Sequence, residues 1–190
     1  MVMQSRQSGF TLIETMVMLG IVGTLSAMAI IQIGQSAQQM RADGAMRVVM
    51  GQLNTARELA ISQRRYMQVQ FTAPNRIRVI RTDVNTSGNV TGTTLLSEAF
   101  FEGGVTYNRA ASIPDTPDAF SGSSSINFGT ATTIQFSTDG SMIDQSGNPL
   151  NGWVAMAMPN IVNSSRAVTV FGSTGRVRAY RWNGSSWVRV

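Results

Sequence analysis

Residues 9–33 read GFTLIETMVMLGIVGTLSAMAIIQI, and this stretch decides how the rest of the chain is organised. From Phe10 onward the sequence is almost unbroken apolar residues, and about 20 of these at about 1.5 Å rise each let a helix cross a bilayer. Glu14 is its single formal charge. We therefore expect residues 10–33 to form a transmembrane helix.

The short segment before this stretch predicts the orientation of the helix. Residues 1–8 are polar, and Arg6 is their only charge. A secretory signal would be cut after its apolar region, next to small residues, whereas here the most plausible cleavage point lies before it. By the positive-inside rule, Arg6 keeps the N-terminus in the cytoplasm and sends the bulk of the protein across the membrane.

The GFTLIE run from Gly9 to Glu14, with the apolar stretch behind it, resembles the class III signal of type IV prepilins and type II secretion pseudopilins. The resemblance implies that residues 1–9 are a leader, cut between Gly9 and Phe10 by a prepilin peptidase that also methylates the new N-terminus. It further implies a single-pass bacterial inner-membrane protein with a periplasmic C-terminal domain. The implied partners are other pilins or pseudopilins and the inner-membrane assembly platform. An ordinary signal anchor that happens to contain these residues is the alternative.

Glu14 is unusual because a carboxylate within a membrane span is costly and normally has a partner or a function. In the family, the matching glutamate attracts the N-terminal amine of a neighbouring subunit, here that of Phe10, and so sets the stagger between assembling helices. The resemblance thus makes residues 10–33 an assembly helix as well. The alternative is that Glu14 only reaches the membrane interface near the helix end.

Residues 34–65 are predicted to continue the same helix in amphipathic form. An apolar stripe recurs there at spacings of three and four, as one helical face packed on a sheet would require, and consists of Met46, Val49, Leu53, Ala56 and Ala60. Gly34, Gly44 and Gly51 are points at which the helix can bend. One helix from residue 10 to about residue 65 is expected.

Residues 66–190 are predicted to form a β domain, because the apolar pattern changes to period two. Residues 66–73 and 76–82 flank Pro74 and Asn75, which indicates a hairpin. The other candidate strands are 94–100, 132–136, 152–158, 167–171, 175–182 and 186–190. Short strands with turn-rich connections favour antiparallel sheets. Polar stretches at 82–93 and 108–125 interrupt them, and the second is long enough to be mobile or functional.

Three segments of this domain resemble pseudopilin H and the FimT-like minor pilins: IQFSTDG at 134–140, RAVTV at 166–170 and TGRVR at 174–178. The absence of the cysteine pair common in major pilins also favours a minor subunit. The resemblance implies an α+β, pilin-like fold, in which a long N-terminal α-helix with a membrane-spanning first half packs on an antiparallel β-sheet domain. It also implies a structural subunit that primes, or joins the tip of, a type IV pilus or type II secretion pseudopilus.

The strand at 175–182 is the candidate for a second function. Alternation places Arg176, Arg178, Tyr180 and Trp182 on one face. Guanidinium groups bind phosphate and aromatic rings stack on bases, and in FimT-like pilins a Gly-Arg-x-Arg motif here is implicated in DNA uptake. Arg176, Arg178, Tyr180 and Arg181 are therefore candidate DNA-binding residues. The alternative is a solvated face whose charges discourage edge-to-edge aggregation.

Composition limits the chemistry. The 190 residues contain no histidine and no cysteine, which removes the commonest general base, the usual transition-metal ligands and thiolate chemistry. No glycine-rich phosphate loop precedes a helical pattern. We therefore expect no enzyme, cofactor or metal.

Charge is uneven along the chain, although the net charge is only +5. All fifteen basic residues are arginine. From residue 145 onward there are five arginines and no acid, whereas residues 83–144 hold one arginine and seven acids. The C-terminal strands therefore carry a basic excess.

Two smaller groups of residues have structural interpretations. Asp139, Asp144 and Asn148 offer oxygen ligands of the kind that calcium takes, but their spacing matches no defined loop. A pair of turns using Gly140 and Gly147 is the favoured interpretation. The three tryptophans, Trp153, Trp182 and Trp187, are expected in the core or on a sheet face.

Overall fold

The computed structural model describes residues 9–84, 90–120, 122–129, 133–144 and 146–190; within these, the side chains at 29–33, 35 and 84 are not described. The chain divides into two compact units, residues 1–37 and residues 38–190. The leader predicted for residues 1–9 lies outside the described residues, except for Gly9.

A single helix, α1 (Leu12–Gln63), accounts for the N-terminal third of the chain. It runs unbroken through Gly34, Gly44 and Gly51. The helix ends where Arg64 takes a left-handed conformation with φ of 50°. The prediction of one helix from residue 10 to about 65 is confirmed to within two residues at each end.

Among the described residues, no helix combines the length and the apolar character that a membrane crossing requires. Positions 29–33 of the predicted span belong to the residues whose side chains are not described. The predicted crossing by residues 10–33 is therefore not confirmed.

Two antiparallel sheets follow the helix. The first has the strand order β3-β2-β1-β5-β6 and the second β10-β9-β8-β7-β4. The strands are β1 (Tyr66–Thr72), β2 (Arg76–Val84), β3 (Val90–Phe100), β4 (Ile126–Asn127), β5 (Thr133–Phe136), β6 (Met142–Ile143), β7 (Gly152–Met156), β8 (Arg166–Phe171), β9 (Arg176–Trp182) and β10 (Trp187–Arg189). A 3-10 turn, Val162–Ser164, precedes β8. The prediction of a long N-terminal helix followed by antiparallel β structure is confirmed.

Both ends of the polar stretch at 82–93, which was predicted to interrupt the strands, belong to strands, while residues 85–89 lie outside the described part of the chain. β2 continues to Val84 and β3 begins at Val90, with Asp83 paired to Gly92. Threonine-rich polar sequence forms good strands when it is solvent-exposed, and most of β3 is exposed. The two-residue strands β4 and β6 were not predicted, because two residues are too few to show a period.

One hydrophobic cluster joins α1 to both sheets. The predicted stripe of α1 is fully buried, from Met46 to Ala60. It packs against side chains of the first sheet, such as Val69 and Phe136, and of the second sheet, such as Val168. All members of the cluster lie at or after Ala45, so residues 38–190 contain a complete core.

The second sheet is buried on both faces at its centre. All five residues of β7 are buried, and so are five of the six in β8. Val154 and Val168 belong to the main core, whereas Trp153 and Ala167 belong to a smaller outer cluster with Tyr180. Phe120, from the predicted polar stretch 108–125, packs on that outer cluster. This stretch therefore covers the outer face of the sheet, and we call residues 108–120 the covering loop.

Candidate functional site

The predicted assembly residue Glu14 lies in the first turn of α1, and the predicted processing residues Gly9 and Phe10 lie just before the helix. The amide of Glu14 donates to Thr11 Oγ1 at 3.3 Å, so Thr11 caps the helix. Thr11 and Glu14 have the spacing of a capping box, a signal that could have placed the helix start at Leu12 from the sequence. The negative charge of Glu14 also lies in the first turn, where the helix dipole favours it.

The Glu14 carboxylate has no hydrogen bond or ion pair within the part of the chain that the structure describes. Glu14 is exposed, as are Gly9 and Phe10. All three residues are therefore accessible to another molecule.

The described part of the first unit presents a large apolar surface. Eleven large apolar side chains are more than half exposed, namely Phe10, Leu12, Ile13, Met16, Val17, Met18, Leu19, Ile21, Val22, Leu25 and Met28. Apolar surface of this extent on a soluble protein marks an interaction site. Two hydroxyl groups of this segment have local acceptors, since the Thr15 and Thr24 hydroxyls donate to the carbonyls of Leu12 and Ile21 at 2.8 and 2.9 Å.

The candidate DNA-binding residues on β9 are not all on one face. Arg176, Arg178 and Tyr180 oppose Phe171, Thr169 and Ala167 of β8. This is the outer face, as Tyr180 belongs to the outer cluster. Arg181 lies on the other face by alternation, together with Ala179 of the main core. The structure therefore brings three of the four candidates together and separates Arg181 from them.

Asp118 of the covering loop occupies the middle of that outer face. Its carboxylate accepts hydrogen bonds from Arg178 Nη1 at 2.5 Å, from the Tyr180 hydroxyl at 2.8 Å and from the Thr169 hydroxyl at 2.6 Å. Burial, and then the neighbouring carboxylate of Asp118, raises the pKa of Tyr180, so that its hydroxyl stays protonated and can donate.

Sequence reasoning missed Asp118, because its partners lie 51 to 62 residues away and no local pattern signals the pairing. Arg178 is only 23% exposed and Asp118 only 5%. The guanidinium of Arg178 also lies 4.4 Å from the centre of the Phe171 ring. Both Arg178 and Tyr180 are thus already engaged within the protein.

Arg176 remains exposed and lies in an open groove at the β8–β9 turn. The groove has a volume of about 590 Å³ and is lined by three arginines, Arg57, Arg176 and Arg178, together with Ser173 and Thr174. No acidic residue is among its described lining residues. It is therefore an electropositive surface suited to an anionic group.

Gly175, the first residue of the Gly-Arg-x-Arg motif, has a structural explanation. Its φ is +61°, and a Cβ atom there would lie 1.9 Å from the carbonyl oxygen of Gly140. Arg57 Nε donates to the same Gly140 oxygen at 3.2 Å. Glycine at this position therefore allows α1 and a turn from each sheet to meet.

The basic excess of the C-terminal strands is partly neutralised by acids from other regions. Arg166 is fully buried, and its Nε donates to Asp43 of α1 at 2.5 Å. Arg178 pairs with Asp118. Two of the five C-terminal arginines thus have carboxylate partners, which the separation of charges along the sequence did not reveal.

Asp139 and Asp144 form turns, as predicted. Asp139 accepts hydrogen bonds from the amide and hydroxyl of Ser141, and Asp144 accepts them from the amides of Ser146 and Asn148. These hydrogen bonds lower the pKa of both carboxyl groups. Among the residues that the structure describes, no group of three or more acids could hold a metal ion.

Three comparisons with known proteins complete the description. Residues 4–30 match the prokaryotic N-terminal methylation motif. No curated protein matches the chain. The crystal structure of the type IV minor pilin FimU of Pseudomonas aeruginosa is similar, with 15% sequence identity and a TM-score of 0.48, over 82% of this chain and 95% of that one. The motif match confirms the predicted prepilin-like N-terminus, while the narrower resemblance to pseudopilin H and FimT-like pilins stays a prediction.

Proposed function

We propose that this chain is a minor subunit of a type IV pilus or of a type II secretion pseudopilus, with a structural and non-enzymatic role. The observation that carries the proposal is the methylation motif at residues 4–30, because the same residues of α1 present exposed apolar side chains. A segment of this kind needs either lipid or other apolar helices around it. Lipid surrounds the segment while the subunit is stored in the membrane, and apolar helices of other subunits surround it in the fibre.

In this proposal the chain has four functional parts. Residues 1–9 are the leader, residues 10–33 insert in the inner membrane and later mediate assembly, residues 34–65 continue the helix, and residues 66–190 form a periplasmic domain. The leader stays in the cytoplasm because of Arg6. The hydroxyls of Thr15 and Thr24 support the membrane step, since both donate to carbonyls of their own helix and need no water as acceptor in an apolar environment.

Prepilin peptidase is the first partner, and it cleaves between Gly9 and Phe10 and methylates Phe10. The second partners are other pilins or pseudopilins. Glu14 attracts the Phe10 amine of a neighbouring subunit, and its lack of a partner among the described residues supports this role. The inner-membrane assembly platform then extracts the subunit, which primes the fibre or joins its tip.

Mass spectrometry of the protein from cells with and without prepilin peptidase tests this function. With the enzyme, the mature chain should begin at Phe10 and carry one methyl group on its amine. Without it, the chain should retain residues 1–9. An intact leader in the presence of the active enzyme would contradict the proposal, and so would removal of the whole apolar segment.

A second candidate function is DNA binding for uptake, in which case the protein is a FimT-like minor pilin. The observation that favours it is the groove lined by Arg57, Arg176 and Arg178, with no acid among its described lining residues. Arginine pairs with phosphate through two parallel hydrogen bonds. In the DNA-binding function Arg176 is the principal contact to phosphate, because Arg178 already donates a hydrogen bond to Asp118.

A titration of residues 38–190 with duplex DNA at several salt concentrations tests the second function. Affinity should weaken as salt rises, and Arg176→Ala should lower both the affinity and its salt dependence. Arg181→Ala removes the same charge from the opposite face and is the matched control. Equal losses in the two variants would show a nonspecific charge effect, and no binding at low salt would exclude this function.

A further inference from the structure

A small cavity lies between the covering loop and the outer face of the second sheet. Its lining includes Arg109 and Ile113 of the covering loop, Trp153 and Ala155 of β7, and Ser165 just before β8. The cavity leaves about 10 Å³ for the centre of a water-sized sphere. Roughly 10–15 Å³ measured in this way is enough to hold one water molecule.

Three buried polar atoms on these lining residues have no hydrogen-bond partner among the residues that the structure describes: Arg109 Nε, Trp153 Nε1 and Ser165 Oγ. Trp153 is 1% exposed and Ser165 is 4% exposed. A buried polar group that is left without a partner destabilises the folded protein. Three such groups around one cavity are therefore evidence that they share one ligand.

We propose that this cavity binds one structural water molecule. The two nitrogen atoms can only donate hydrogen bonds, and a water oxygen has two lone pairs to accept them. One water hydrogen then donates to Ser165 Oγ, so that a single molecule satisfies all three atoms. Buried waters commonly make about three hydrogen bonds of this kind.

A water molecule fits the site better than a small anion does. Ala110, Ile113, Pro114 and Ala155 line the same cavity. Arg109 and Arg166 line it too, so size decides between the two: the space of about 10 Å³ suits one water-sized sphere, and a chloride ion is larger than a water molecule.

The proposed water links three parts of the chain that are far apart in sequence. It joins the covering loop at Arg109 to β7 at Trp153 and to the start of β8 at Ser165. Elsewhere the loop is attached through the Asp118 carboxylate, through the Pro114 carbonyl, which accepts from Trp187 Nε1 at 2.9 Å, and through the Phe120 carbonyl, which accepts from Asn127 Nδ2 at 3.4 Å. The water adds an attachment at the N-terminal end of the loop.

The three tryptophans make the site testable by NMR. In the full chain labelled with 15N-tryptophan and held in detergent micelles, the indole groups of Trp153, Trp182 and Trp187 give three signals, each assigned by its Trp→Phe variant. The Trp153 indole proton should show a nuclear Overhauser effect to water with the sign that only long-held water produces. Trp187 is the internal control, because its indole nitrogen already donates to Pro114.

Ser165→Ala separates bound water from the serine hydroxyl as the source of this signal. The effect at Trp153 should persist in Ser165→Ala, because the water keeps its two donors, and the Trp182 and Trp187 signals report that the variant is folded. Loss of the effect in this variant would assign it to the hydroxyl and overturn the proposal. Absence of the effect in the unmodified chain would also overturn it, as would a Trp153 shift that depends on chloride, which would identify an anion.

Discussion

Arg166 and Asp43 form an ion pair that fixes α1 to the start of β8. Arg166 Nε donates to Asp43 Oδ1 at 2.5 Å, and its remaining nitrogens donate to the carbonyls of Gln39, Asn163 and Ser165. Arg166 is completely buried, whereas the Asp43 side chain is 26% exposed. Every part of the guanidinium group therefore has a partner.

Replacing Arg166 by methionine should destabilise the fold. The change keeps most of the side-chain volume but removes the donor to Asp43 and one donor to each of three carbonyls, of which that of Ser165 still accepts from the Trp182 amide. Removing one partner of a buried ion pair costs about 3–5 kcal/mol, and we expect the lower end because water reaches Asp43. Chemical denaturation measures this loss, with the exposed Arg189→Met as the control. Equal stability of the two variants would contradict the role of the pair.

Replacing Asp118 by alanine should loosen the covering loop. Arg178, Tyr180 and Thr169 would lose their shared acceptor, and we expect a loss of about 2–4 kcal/mol in the free energy of unfolding. Limited proteolysis should then cut within residues 108–120, where the unmodified protein resists. The exposed Glu102→Ala is the control, and unchanged proteolysis in Asp118→Ala would show that other contacts hold the loop.

Asp139 and Asp144 should make stability fall at acid pH. Both have a pKa lowered by hydrogen bonds in the folded state. Their stabilising contribution is therefore present above the unfolded pKa of about 3.9 and is lost as pH falls through the lower folded value. The double variant Asp139→Asn with Asp144→Asn should have a flatter stability profile below about pH 4. Parallel profiles from thermal melts at each pH would contradict this assignment.

Replacing Glu14 by glutamine should impair assembly without affecting processing. A hydrogen bond to a charged group contributes about 1.5–3 kcal/mol, and about 1.4 kcal/mol is a tenfold change in an equilibrium. Incorporation into fibres should therefore fall about tenfold or more, while the amount of mature protein in the membrane stays constant. Immunoblots of sheared fibres and membranes measure both, with Glu102→Gln as the control. Normal incorporation of Glu14→Gln would favour a role at the membrane interface only.

Gly175→Ala should be more destabilising than Gly147→Ala. Both glycines have positive φ, which costs another residue about 1–2 kcal/mol. At Gly147 an added Cβ meets nothing within 4 Å, whereas at Gly175 it meets the Gly140 carbonyl. The difference between the two variants in chemical denaturation measures this contact. Equal losses would show that only the backbone conformation requires glycine at 175.

The elements with a regular period could be predicted from the sequence. The apolar stripe of α1 repeats over four turns, and its burial follows directly from that repeat. The Pro74 hairpin and the strands β7, β8 and β9 were placed to within about two residues. Regular elements are predictable because the spacing of side chains along them fixes which face each residue occupies.

The contacts between distant segments could not be predicted. Asp118 sits in a polar stretch that has no period, and its partners become neighbours only after the second sheet forms. Arg166 belongs to the basic excess that the sequence shows in the C-terminal strands, yet it is buried against an acid 123 residues earlier. The continuous apolar sequence of β7 was the one available sign that this sheet is covered on both faces.

The order of the elements has a consequence for folding during synthesis. The stripe on α1 is synthesised early, but much of the surface that covers it, including Val154, Val168 and Ala179, lies in the last quarter of the chain. Contacts across so many residues form slowly. Until the last strands are made, the stripe lacks much of its covering surface, so the unfinished polypeptide exposes apolar side chains that a holding chaperone could bind.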